Sequence, residues 1–179
     1  MAVTAYKTPG ICANEDQGAE DWVSPDNAKT SNDAYSSVSL PKIAGASDIL
    51  LAGDYGFSIP SGATIDGIEV KIEHKGGAAG SIADVYVQLT KASILVGDNK
   101  ASASKWATSD GEITYPASGG ATDKWGTTWT VADINNEIGL GLRAQNSNAD
   151  NAVTAYVDCI SIRIYYTEAP TFIPWAIIM

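Results

Sequence analysis

The residues able to carry chemistry are few and widely spaced. His74 is the sole histidine of the 179-residue chain, and it follows Glu73 where an alternating segment runs into Gly76 and Gly77. A serine-hydrolase arrangement needs a histidine between a nucleophile and an orienting acid, and no G-x-S-x-G elbow supplies the nucleophile. His74 is therefore expected at an exposed strand end. Glu69, Glu73, Asp84 and Asp158 are the carboxylates that could pair as in glycoside hydrolysis. Glu69 and Glu73 alternate with aliphatic residues, which assigns them to the wet face of one strand. Asp158 lies where the apolar parity of a later segment changes; it is expected to point inward and pin a bulge, which requires a hydrogen-bond partner. These groups assign no catalytic residue, and the chain reads as a non-enzyme.

Calcium is the metal that the composition could suit, since Asp21 to Asn27 and Asn146 to Asn151 are rich in hard oxygen donors. Neither stretch has the D-x-[DN]-x-[DN]-G spacing, and Asn/Asp clusters ordinarily make turns, so no cofactor is expected. One histidine and two distant cysteines make a poor zinc set. Cys12 and Cys159 match no redox motif and are expected to be free, buried thiols.

Two apolar features could serve binding. Trp125 and Trp129 are separated by an even number of residues, so on a strand their rings would share a face; Trp106 and Tyr115 could extend that face into a ligand platform, for instance for a glycan. The alternative is that these rings are packing within the body. The second feature is FIPWAIIM after the breaker Pro170, in which Phe172, Ile173, Trp175, Ile177, Ile178 and Met179 would be an aggregation hazard in water. This tail either folds back or is buried against another chain, and the second is favoured, giving an assembly interface. It is shorter than the roughly 20 residues of a membrane-spanning helix.

These residues are set on a series of short strands. The stretch FSIPSGATIDGIEVKIEHK, Phe57 to Lys75, turns at Pro60-Ser61-Gly62 and then alternates Ile68, Val70 and Ile72 with charges, the pattern of an antiparallel strand with one dry face. Val85, Val87 and Leu89 alternate likewise with Asp84, Tyr86 and Gln88, and the glycine-rich connection suggests a hairpin. Shorter strands are expected at Tyr35 to Leu40, Ile49 to Ala52, Ile94 to Val96, and around Ile113 and Tyr115. Thr130 followed by Asp133 reads as a helix cap, with one helical turn over Asp133 to Glu137. Alternation resumes at Ile138, Leu140, Leu142 and Ala144. Val153, Ala155 and Val157 are odd-numbered while Ile160, Ile162 and Ile164 are even-numbered, so a bulge is expected near Asp158 or Cys159.

Turn signals every 8 to 12 residues and a single helical turn describe an all-β chain with one antiparallel β-sandwich, a jelly roll favoured over an immunoglobulin-like Greek key. Three parts are expected: an N-terminal arm over 1–34, a sandwich over 35–168 and the apolar tail over 169–179. Residues 11–35 carry Glu15, Asp16, Glu20, Asp21, Asp26 and Asp33 against the single Lys29, and the segment is either an extended arm pinned by Trp22 or an irregular edge of the sandwich. A net charge of −10 with 11 scattered basic residues argues against nucleic acid as a partner, since phosphate binding needs clustered Lys and Arg. The first residues lack the basic and apolar regions of a secretory signal.

FSIPSGATIDGIEVKIEHK, VGDNKA, DKWGTTWTVADINNEIGLGLRA and AYVDCISIRIYY, in that order, resemble β-sandwich proteins from the structural modules of tailed bacteriophages, over roughly residues 35–166. The resemblance implies a virion component, such as a head decoration or appendage protein, that is synthesised in the host cytoplasm. It would be located on the outer surface of the particle, with the major capsid protein, other virion subunits or further copies of itself as partners. It carries over no catalytic or ligand-binding residue.

Overall fold

The computed structural model describes residues 1–17, 19–42 and 44–170. Among the described residues there are ten strands: β1 (Ala2–Val3), β2 (Ile11–Glu15), β3 (Ser36–Leu40), β4 (Ile49–Gly53), β5 (Thr64–Gly76), β6 (Ile82–Lys91), β7 (Ile94–Leu95), β8 (Gly111–Tyr115), β9 (Ile138–Asn146) and β10 (Val153–Thr167). They form two five-stranded antiparallel sheets. One runs β1-β10-β5-β8, with β3 also pairing β10; the other runs β2-β4-β9-β6-β7. The eight strands from β3 to β10 thus lie in the orders β3-β10-β5-β8 and β4-β9-β6-β7, with the chain crossing between sheets at nearly every connection. That order is the jelly roll.

The dry faces meet between the sheets. Ile68, Val70 and Ile72 of β5 and Ile160, Ile162 and Ile164 of β10 oppose Val87 and Leu89 of β6 and Leu140 and Leu142 of β9, and all of these are buried. Each such side chain removed from water contributes roughly 1.5–3 kcal/mol, which makes this layer the main source of stability.

The bulge in β10 is where the parity change places it, between Val157 and Cys159. Asp158 is buried there, and its carboxylate accepts from the Asn32 backbone N–H at 3.1 and 3.3 Å. A second bulge, between Asp84 and Tyr86 of β6, is hidden in the sequence because Val85, Val87 and Leu89 alternate without interruption. It turns Asp84 inward, onto the side of Ile82, whereas simple alternation would put it outside.

The expected β5–β6 hairpin is corrected: these strands belong to different sheets, and residues 77–81 carry the chain across the sandwich. Both strands have an apolar face to bury, and facing one another across the core buries both. The described residues among 1–34 lie along the sandwich edge. β1 pairs with β10, β2 pairs with β4, and the Trp22 indole donates to the Asp48 carbonyl at 3.0 Å. Asp48 also accepts from the backbone N–H groups of Gln17 and Ala19 at 2.8 and 3.0 Å. The helical turn Asp133–Glu137 is of π type. Its start has the expected reciprocal cap: the Asp133 N–H donates to Thr130 Oγ1 at 3.1 Å and the Thr130 N–H donates to Asp133 Oδ2 at 2.9 Å. Cys12 is buried, Cys159 half-buried, and both are free thiols; burial raises them to about 12 and about 11.

Candidate functional site: a cleft beside His74

His74 is on the inner face of β5, in line with Val70 and Ile72, and is only 4% exposed. The expectation of an exposed strand-end residue is therefore corrected: β5 continues to Gly76, so position 74 still belongs to the core-facing set. Its imidazole stacks on the Trp106 indole with centroids 4.0 Å apart and planes 18° apart. Neither ring nitrogen has a hydrogen-bond partner. Burial lowers its pKa to about 4 against the opposing pull of Asp84 and Asp110, so the ring is neutral at pH 7.

Trp106 is held in place from both sheets. Its N–H donates to the Ile82 carbonyl at 2.9 Å, and the neighbouring Ala107 carbonyl accepts from the Gly76 N–H at 2.8 Å. Its indole Nε1 donates to Asp84 Oδ1 at 2.7 Å. The other Asp84 oxygen accepts from the Tyr115 hydroxyl and the Ser102 N–H, both at 2.9 Å. The inward turn of Asp84 thus converts a surface acid into the anchor of two aromatic rings. Burial, with Asp84 next, raises the Tyr115 hydroxyl well above its ordinary value, so Tyr115 is a donor at any physiological pH.

The cleft exists because the sandwich is not closed along this side. β8 is an edge strand whose Ile113 pairs with Ile72 of β5 and therefore faces inward. Opposite it, β7 has only two residues. The chain after β7 instead follows β6 as an irregular segment, in which the Asn99 side chain donates to the Val85 carbonyl at 2.8 Å and accepts from the Val87 N–H at 3.0 Å. That segment does not cover Ile113, which remains 42% exposed. The result is a cleft of about 300 Å³ whose lining includes His74, Trp106, Ile113, Tyr115 and Ala117, with Ser102, Ser104 and Lys105 also in its wall.

Of the two readings of Trp125 and Trp129, a shared platform or packing within the body, the structure agrees with packing. Trp125 is fully buried with its indole donating to the Ile68 carbonyl at 3.0 Å. Trp129 is buried with its indole donating to the Lys124 carbonyl at 3.0 Å. These rings seal the end of the core beside β5, because the segment around them is a loop and not a strand, so their even spacing implies no shared exposed face. Of the four rings considered for a platform, Trp106 and Tyr115 are the ones that line the cleft beside His74.

Glu69 is likewise corrected. It is 3% exposed, covered by the N-terminal segment and by the loop at Gly120. Its carboxylate accepts from the Tyr6 hydroxyl, from the Gly120 N–H at 2.9 Å and from Arg163 at 2.7 Å. Desolvation pushes this carboxyl up, but the Tyr6 and Gly120 hydrogen bonds and Arg163 outweigh it and hold it below its ordinary range. A carboxylate so fully engaged is structural.

The stretches weighed for calcium use their oxygens locally. Asn148 Oδ1 accepts from the backbone of Asp150 and Asn151, and Asn146 is a buried hub donating to the carbonyls of Pro41 and Asn151. Asp26 accepts from the Cys12 N–H and pairs with Lys29. The fold does gather Asp33, Asp110 and Asp158, with one carboxylate oxygen of each within 4.8 Å of the others. No sequence motif links these three positions. The single Tyr35 O–H is shared between Asp33 and Asp110, Lys75 approaches Asp110 at 3.7 Å, and the Asn32 N–H donates to Asp158, while Asp110 Oδ1 is buried without a partner.

The six tail residues assigned to an assembly interface, Phe172, Ile173, Trp175, Ile177, Ile178 and Met179, lie outside the described residues. Among the described residues no helix is long and apolar enough to cross a membrane. No protein-family model, curated protein or solved structure matches this chain.

Proposed function

We propose that this chain is a structural subunit of a tailed-phage virion, a head decoration or minor head protein that binds neighbouring subunits. The observation that carries the reading is the strand order β3-β10-β5-β8 over β4-β9-β6-β7, the jelly-roll architecture used by viral capsid and lectin domains. Fold alone does not specify function, and the second support is the sequence resemblance, whose segments coincide with β5, the turn after β7, the 123–144 segment and β10. The partners in this reading are the major capsid protein, other virion subunits and further copies of the chain. An acidic surface suits the outside of a particle better than the DNA-packed inside.

The apolar residues from Phe172 to Met179 are the proposed contact, working by burial between subunits. Removing residues 170–179 should abolish assembly, seen by electron microscopy and sedimentation, while circular dichroism retains the β signature of a folded monomer. Assembly that survives the deletion would remove the tail from the mechanism. Particles that form without the protein at any site on the head or an appendage would remove the virion reading itself.

A further inference from the structure

β8 leaves its sheet open on one side. It ends the order β1-β10-β5-β8, and among the described residues β5 is its only backbone partner. An unpaired edge is a template for pairing with a further strand. The cleft of about 300 Å³ opens beside this edge, with Ile113 42% exposed and Ala107 and Ala117 exposed in its wall. Lys105 is the one charged residue of the lining, and its ammonium donates to Ser147 Oγ at 2.6 Å. A strand laid along β8 would touch these open groups and leave the buried rings of His74, Trp106 and Tyr115 beneath them as a closed floor.

We propose that a second copy of the chain supplies that strand: residues 172–179 of one subunit pair along β8 of the next and close its cleft. The inference rests on the reading of the tail as the assembly contact and names the surface that receives it. FIPWAIIM has no charged side chain, so it can enter without stranding an ion. Pro174 has no N–H to give to a ladder, and from Trp175 onward the two-residue period puts Trp175, Ile177 and Met179 on one face. That face would meet Ile113, Ala107 and Ala117, while main-chain hydrogen bonds to β8 fix the register, the strand-addition mode of recognition. Reach decides between the chain's own tail and a neighbour's. β10 ends with Thr167 opposite Thr64, and Ala169 lies beside Gly62, so the chain leaves the body at the start of β5. β8 pairs with the far half of β5, from Val70 to His74. Returning from the level of Gly62 to that of Val70 takes about eight extended residues, roughly 26 Å, which uses the tail up to Ile178 on the way. A chain therefore cannot lay its own Trp175 and Ile177 along β8, whereas a neighbour's tail has no such distance to cover. Joining one end of a subunit to the opposite end of the next is a heterologous contact, which gives a ring when the rotation closes and a filament when it does not.

The test is complementation between two variants, followed by sedimentation velocity. One lacks residues 170–179 and keeps the cleft; the other carries Ile113→Glu, which charges the cleft, and keeps the tail. The wild-type chain should self-associate, and each variant alone should do so at least tenfold more weakly. Mixed, the two should form a 1:1 dimer and stop there, because the pair holds one free tail and one open cleft. Ala117→Arg, at an exposed position, repeats the block should Ile113→Glu fail to fold by circular dichroism. A wild-type chain that stays monomeric, as it would with the tail held in its own subunit, overturns the proposal. So does undiminished self-association of both cleft variants, which puts the tail's contact on another surface, and so does a mixture of folded variants that forms no dimer. Where the deletion still abolishes assembly, these failures leave the tail as the assembly contact; a deletion without effect removes that reading and this one together.

Discussion

Glu69 and His74 lie five residues apart on one strand, both buried, and the molecule treats them in opposite ways. Glu69 is on the outer face of β5, yet Tyr6, Gly120 and Arg163 close over it and satisfy its charge. His74 is on the inner face, where apolar packing is the rule, and neither of its nitrogens is met. Burial by itself therefore does not separate structure from function. A buried polar group with every bond made stabilises one arrangement of the chain, whereas one with none, beside a cavity, marks a place where the protein has left room.

The largest effect that would break this contrast is at Glu69. Glu69→Ala strands Arg163 and frees the Gly120 N–H, and should cost about 3 kcal/mol, measured as a lowered urea midpoint at an unchanged m-value. A loss under about 1 kcal/mol would put Glu69 and His74 in the same class.

Acid titration separates the two residues next. The folded-state pKa of His74, about 4, is below the unfolded value of about 6.5, so the unfolded chain binds the proton first. The contribution of His74 is complete above pH 6.5 and falls away between pH 6.5 and 4, by at most about 3 kcal/mol. Glu69 also has a depressed folded pKa, so its contribution is lost at lower pH, beginning as the unfolded carboxyl titrates and ending below the folded pKa. His74→Phe should flatten the upper window and leave the lower one. At pH 7 the same variant should be neutral or stabilising by under about 1 kcal/mol, because it removes an unpartnered polar group. Unfolding midpoints measured from pH 7 to pH 3 in both proteins provide the check.

Asp84→Ala should cost about 2 kcal/mol by releasing Trp106, Tyr115 and the Ser102 N–H, and should increase the mobility of the Trp106 indole in NMR relaxation. An unaffected Trp106 would mean that the cleft is held without Asp84. A smaller effect than that of Asp84 belongs to a region remote from both residues: Thr130→Ala removes one half of a reciprocal cap and should cost about 1 kcal/mol by thermal or urea unfolding.

The sequence by itself determined the sandwich, its principal strands, the capped turn at Thr130 and Asp133, and the bulge at Asp158. Each of these is a local pattern, since the two-residue period of a strand, the spacing of a cap and a change in parity are all visible along the chain. Tertiary structure alone decided which strands pair, that Glu69 and His74 are buried, and that Asp84 turns inward at a bulge masked by Val85, Val87 and Leu89. It also decided that Trp125 and Trp129 belong to the core while Trp106 borders a cleft. The physical reason is that burial and cavities depend on what arrives from elsewhere in the chain. Tyr6 and Gly120 cover Glu69 from opposite sides in sequence, and the His74 cleft exists because β7 is too short to cover Ile113 on β8. Neither relation leaves a trace in the spacing of neighbouring residues.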